Sequence, residues 1–115
     1  MKVSAIFVRC GDLRKQAAFY RSVLALPEPT RADDEHTGFQ LENTYLGFEG
    51  DNRWSGEPVA VWFGVEDVDA MYRRFLDAGA RPHVPPDPDA SPGELLAAVR
   101  DPEGNVIGLV SAAAG

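Results

Sequence analysis

The chain repeats itself. The run Ala5-Ile6-Phe7-Val8-Arg9-Cys10-Gly11-Asp12 returns 55 residues later as Ala60-Val61-Trp62-Phe63-Gly64-Val65-Glu66-Asp67. A chain whose halves carry the same run of elements is built from two like modules, and this constrains the fold more than any single motif. Each run reads as a short strand that ends on an aspartate. A carboxylate there accepts the free amide hydrogens of a helix's first turn, so Asp12 and Asp67 are predicted N-caps. After Asp12, Leu13, Ala17, Tyr20 and Leu24 recur at helical spacing. After Asp67, Val68, Tyr72 and Phe75 do the same. The first helix is expected to be closed by Pro27 and Pro29, and the second by Gly79.

Strand signals follow each helix, around Phe39 to Leu41 and Thr44 to Phe48, then around Leu95 to Val99 and Val106 to Val110. Asp101-Pro102-Glu103-Gly104-Asn105 is a strong turn, because proline presets one backbone angle and glycine supplies the positive one. Glu42-Asn43 is its weaker counterpart. Leu46-Gly47-Phe48 then matches Ile107-Gly108-Leu109 at an offset of 61, and the extra length is assigned to a proline-rich loop from Pro85 to Pro92. The reading is one domain over residues 1–115, with module 1 at about 1–52, a linker at about 53–58 and module 2 at about 59–111. The tail Ala112 to Gly115 is expected to fray.

A chain of 115 residues buries roughly two-thirds of the surface its unfolded form exposes, so it sustains a core without a disulfide or structural metal. The net charge of −7 leaves no basic surplus to release counterions from nucleic acid or an anionic membrane, and it leaves cationic ligands open. Cys10 is the single cysteine, which precludes an internal disulfide and is expected to be a buried thiol. The N-terminal stretch Val3 to Val8 is too short for the apolar region of a signal peptide, about 7 to 15 residues, and the longest apolar stretch elsewhere, Val59 to Val65, is far below the roughly 20 of a spanning helix. A cytoplasmic location is expected.

The paired modules, the D-L-x-x-x-x-x-F-Y element at Asp12 to Tyr20 and the D-P-x-G-N turn at Asp101 to Asn105 resemble the vicinal oxygen chelate superfamily. That superfamily includes glyoxalases, extradiol dioxygenases, fosfomycin-type resistance enzymes and bleomycin-resistance proteins. The resemblance implies an α+β fold in which two βαβββ modules form curved mixed sheets around a cleft, with helices on the outer face. It also implies a homodimer.

Metal-dependent members of the superfamily place His or Gln in the opening strand of a module and Glu in its closing strand. The matching positions here are Ala5, Gly47, Ala60 and Gly108, none of which carries a donor atom. The expectation is therefore no metal, no cofactor and no catalytic residue taken over from the superfamily. His36 and His83 lie outside the four matched strands.

Strand alternation puts Phe7, Arg9, Tyr45, Glu49, Trp62, Gly64, Glu66, Val106 and Val110 on the face shared with those four positions. Ile6, Val8, Leu46, Phe48, Val61, Phe63, Val65, Ile107 and Leu109 fall on the other face, beneath the helices. The predicted ligand-binding set is Phe7, Arg9, Tyr45, Gly47, Glu49, Trp54, Trp62, Glu66 and Gly108. In it Phe7, Tyr45 and Trp62 are aromatic walls, the glycines are a small floor, and Trp54 is a rim or dimer contact. Phe7 and Trp62 either line the cleft or fill it. Arg9 either pairs with Glu66 or holds an anionic group, and Glu49, Asp51, Glu57 and Glu66 act together only where a cleft mouth gathers them. The expected function is metal-free binding of a cationic or aromatic, antibiotic-like small molecule, as in bleomycin-resistance proteins. The alternatives are a metal-independent lyase or isomerase using Tyr45, Glu49 or Glu66, and a ligand-free dimerisation module.

Overall fold

The computed structural model describes residues 1–50 and 52–112. Asp51, read as surface charge, and residues 113–115 of the tail lie outside the described residues. The elements are β1 (Lys2–Arg9), α1 (Leu13–Leu24), β2 (Arg31–Ala32), β3 (His36–Gln40) and β4 (Tyr45–Glu49), followed by β5 (Val61–Gly64), α2 (Val68–Asp77), β6 (Arg81–Ser91), β7 (Glu94–Arg100) and β8 (Val106–Ala112). Each half is strand, helix, then three strands. Ala112 closes β8.

The strands form one curved, open sheet of eight in the order β2-β3-β4-β1-β5-β8-β7-β6. Within each module the opening strand runs parallel to the closing one, β1 with β4 and β5 with β8. The modules join where β1 and β5 pair antiparallel, across a register shift between Val3 and Ala5. Both expected caps form: Asp12 accepts from the Lys15 amide at 3.1 Å, and Asp67 from the Ala70 amide at 3.0 Å. Each is worth about 1 kcal/mol.

Alternation sorts the core. Val8, Leu46 and Phe48 pack beneath α1 with Ala17 and Tyr20. Phe63, Val65 and Leu109 pack beneath α2 with Val68 and Phe75. Ile6, assigned to the same face, is 41% exposed, because α1 packs on β3 and β4 and α2 on β6, β7 and β8, away from the central seam. On the opposite face Val59, Ala98 and Val106 form a third cluster with Trp54 and Trp62.

Two expectations are corrected. Leu24 is exposed rather than packed; the chain turns through a left-handed Ala25 (φ 52°), the Leu26 amide donates to the Arg21 carbonyl, and Leu26 enters the core instead. The stretch from Pro85 is not a loop, since residues 81–91 form the edge strand β6. Pro82, Pro85, Pro86 and Pro88 are tolerated there because an edge strand pairs on one side only, and the register shifts along β6 give up further ladder bonds. The difference between the modules is thus a long edge strand set against the two-residue β2 at the other edge. Among the described residues, no helix is long and apolar enough to cross a membrane.

Candidate functional site

The two modules place an aromatic ring over a glycine in the same way. Phe7 is paired with Gly47 across β1 and β4, and Trp62 with Gly108 across β5 and β8. A Cβ at residue 47 would come within 2.4 Å of the Phe7 ring, and one at residue 108 within 2.4 Å of the Trp62 ring. The glycines are therefore covered by rings rather than left as an open floor. This also decides whether these positions suit a metal. Ala5 and Ala60 carry no donor atoms, and any side chain at 47 or 108 would collide with the neighbouring ring. Among the described residues no group of three His, Cys, Asp or Glu is placed to hold a metal ion. Ala5, Gly47, Ala60 and Gly108 do not fit one.

Above the rings lies a cleft of about 960 Å³. Each module contributes an aromatic group to it. From module 1, the Phe7 ring lies 5.3 Å from His36 and 6.1 Å from Tyr45, and His36 stacks on Tyr45 at 5.7 Å. On the other side Trp54, from the segment between modules, stacks on Trp62 at 5.6 Å with an interplanar angle of 28°. The Trp54 indole N–H donates to Asp87 on β6 at 3.0 Å, which fixes the ring at the cleft wall. Asp34, Glu35, Glu49 and Glu94 line the cleft against Arg31 and Arg53, so carboxylates outnumber guanidiniums. Arg53 is paired with Glu35 at 3.2 Å and Arg31 with Asp33 at 2.6 Å.

A polar chain runs into the wall beside Tyr45. The Asn52 side chain accepts from the amides of Trp54 and Ser55 and donates to Glu49 Oε1 at 3.0 Å. Glu49 Oε2 lies 3.4 Å from His36 Nδ1, and His36 Nε2 lies 2.8 Å from the Tyr45 hydroxyl. His36 and Glu49 are buried at 7% and 8% exposure, whereas Tyr45 is half-buried and meets the cleft. Their burial is sustained because each polar atom has a partner. Burial, foremost, pushes the Tyr45 hydroxyl above its ordinary pKa, so the phenol stays protonated. The half-buried Cys10 thiol, at the cleft's edge, is likewise raised by burial and then by Asp12 and Glu49, which disfavours a nucleophilic thiolate.

Of the predicted set, Phe7, Tyr45, Glu49, Trp54 and Trp62 line one cleft, and Gly47 and Gly108 lie under its rings. Arg9 and Glu66 are exposed, do not line the cleft and do not pair with each other. Glu57 pairs instead with Arg100, which holds its carboxyl below the ordinary range. His83 donates to the Ser55 carbonyl at 2.6 Å and ties the linker to β6. The sequence reading missed His36 and Asn52 of the polar chain, and Arg31, Asp34, Glu35, Arg53 and Glu94 of the charged lining. His36 shares the phase of Gly38 and Gln40, opposite to the buried Phe39, so extending that strand three residues upstream would have put it on the cleft face.

The profile of the Glyoxalase-like domain family matches residues 5–110. No curated protein sequence matches the chain. Among solved structures, Streptomyces coelicolor methylmalonyl-CoA epimerase in complex with 2-nitronate-propionyl-CoA is 21% identical, covering 99% of this chain and 96% of that one with a TM-score of 0.71. A glyoxalase/bleomycin resistance protein/dioxygenase superfamily member from Vibrio splendidus is 17% identical, with 96% and 97% covered and a TM-score of 0.71. An NAD-dependent benzaldehyde dehydrogenase from Legionella pneumophila is 16% identical, with 94% and 97% covered and a TM-score of 0.69. At these identities the likeness is one of fold.

Proposed function

Starting from this chain's membership of the glyoxalase-like domain family, we propose that it is a small-molecule binding protein that holds a planar aromatic ligand, in the manner of bleomycin-resistance proteins and without a metal. One observation carries the reading: aromatic groups from both modules line a single cleft whose carboxylates outnumber its guanidiniums. Flat rings stack on such walls, and a positive charge on the ligand gains from the indole faces and the acidic lining. Stacking and cation–π contact supply about 0.5–2 kcal/mol each. The donor-free positions Ala5, Gly47, Ala60 and Gly108 support metal-independent binding.

The test is a thermal-shift and tryptophan-fluorescence screen of cationic aromatic compounds, repeated with Trp62→Ala. A true ligand stabilises the wild type by RT ln(1 + [L]/Kd) and quenches Trp54 and Trp62, and both effects largely vanish in the variant. Stabilisation that survives Trp62→Ala would count against the cleft. A second reading is a metal-independent isomerase or lyase, favoured by the acid–base groups Glu49, His36 and Tyr45 on the cleft wall. Consumption of a bound compound in the same screen would select it.

A further inference from the structure

We propose that Tyr45 and His36 form a proton-gated acceptor site, in which protonated His36 frees the Tyr45 hydroxyl to donate to a carboxylate oxygen at one end of an aromatic ligand. The inference rests on the cleft-binding reading and adds to it the polar group that the ligand carries.

The direction of each hydrogen bond follows from what its partners can do. An ionised Glu49 only accepts, so His36 presents its hydrogen on Nδ1 toward Oε2. In neutral His36 the other nitrogen is then a bare lone pair, and the Tyr45 hydroxyl, 2.8 Å away, must donate to it. In that state Tyr45 offers the cleft only its oxygen lone pairs. When Nε2 takes a proton from solvent, the N–H donates to the Tyr45 oxygen and the phenolic hydrogen turns toward the cleft. No covalent bond other than N–H changes, and the proton comes from buffer.

The surroundings support this exchange. Glu49 is held on its other oxygen by Asn52, so its charge is fixed beside the imidazolium that would form. The remaining titratable groups around the pair are Arg31, Asp33, Asp34 and Glu35 from β2 and the turn after it, Arg53 beyond β4, and Cys10 beyond β1. Asp33 also accepts from the His36 amide at 2.9 Å, which fixes the backbone that aims the ring. Arg31 lines the same cleft, with its guanidinium paired to Asp33 at 2.6 Å. Because Tyr45 is half-buried and His36 is buried, Tyr45 makes the contact and His36 is a positioning residue.

The probes are benzoate and benzylamine, titrated calorimetrically into the intact protein at about pH 7.5, in two buffers of different ionisation enthalpy, with the wild type, Tyr45→Phe and His36→Gln. Benzoate is expected to bind the wild type with net proton uptake, and benzylamine with none. Tyr45→Phe, which keeps the ring and removes only the hydroxyl, is expected to lose both the uptake and at least about tenfold in benzoate affinity. His36→Gln, its fold checked by circular dichroism, should also lose the uptake. Benzoate binding without proton uptake, uptake that persists in Tyr45→Phe, or binding of benzylamine alone would overturn the inference and leave the cleft reading standing. Binding of neither probe to the wild type would overturn both.

Discussion

The ring of Phe7 lies on the backbone of Gly47, so close that a single added carbon at residue 47 would sit 2.4 Å from it. Trp62 and Gly108 repeat the relationship in the second module. Gly47→Ala and Gly108→Ala are expected to cost about 1–3 kcal/mol each by overpacking, with a melting temperature lower by several degrees. Gly11→Ala, where nothing lies within 4 Å, should be nearly neutral. Pairing Gly47→Ala with Phe7→Ala should cost less than the sum of the two changes, measured by urea unfolding. Full additivity would mean that ring and glycine are not coupled.

Gly38 bears on the polar chain rather than on the floor. A Cβ there would come within 1.7 Å of the Tyr45 hydroxyl oxygen, the tip of a side chain that is able to swing away. Gly38→Ala is expected to leave the fold intact and to break the bond from Tyr45 to His36. Nitrogen NMR of the imidazole reads this directly, through a shift at Nε2 larger than that at Nδ1. Unchanged resonances would show that Tyr45 is not the Nε2 partner.

Acid weakens the turn that presents His36. The Arg31 guanidinium, then the backbone N–H of Glu35, holds the Asp33 carboxyl at about 2, below its ordinary 3.8. A depressed carboxylate contributes stability that is complete above the unfolded value and is lost as pH falls through the folded one. Asp33→Ala should therefore be less stable than the wild type at about pH 6, with the gap closing between about pH 4 and pH 2. A gap independent of pH in that window would assign the effect to lost hydrogen bonds alone.

Self-association is expected from the apolar surface that the helices leave uncovered. Phe19 and Val23, one turn apart on α1, are 60% and 66% exposed, and Ile6 on β1 is 41% exposed. We expect a two-fold dimer at about 100 μM in sedimentation velocity, and a monomer after Phe19→Asp with Val23→Asp. A monomeric wild type contradicts the dimer. A variant that remains dimeric places the interface elsewhere.

What the sequence determined by itself is the repeated element order, the caps at Asp12 and Asp67, the two-sided alternation and the absence of donors at Ala5, Gly47, Ala60 and Gly108. These follow from local periodicity and side-chain chemistry, which act over a few residues and are visible in a string. Tertiary structure decided the rest. Leu26 replaced Leu24 in the core because a left-handed turn at Ala25 redirected the chain. The prolines after residue 80 could form a strand because β6 has a neighbour on one side only, and edge position is a property of the assembled sheet. Glu49 and His36, 13 residues apart, are brought opposite each other by the pairing of β3 with β4, while the folded linker brings Asn52 to Glu49 and Trp54 to Trp62 and Asp87 on the other side of the cleft. Contacts of this kind depend on register and closure, and no local pattern encodes them.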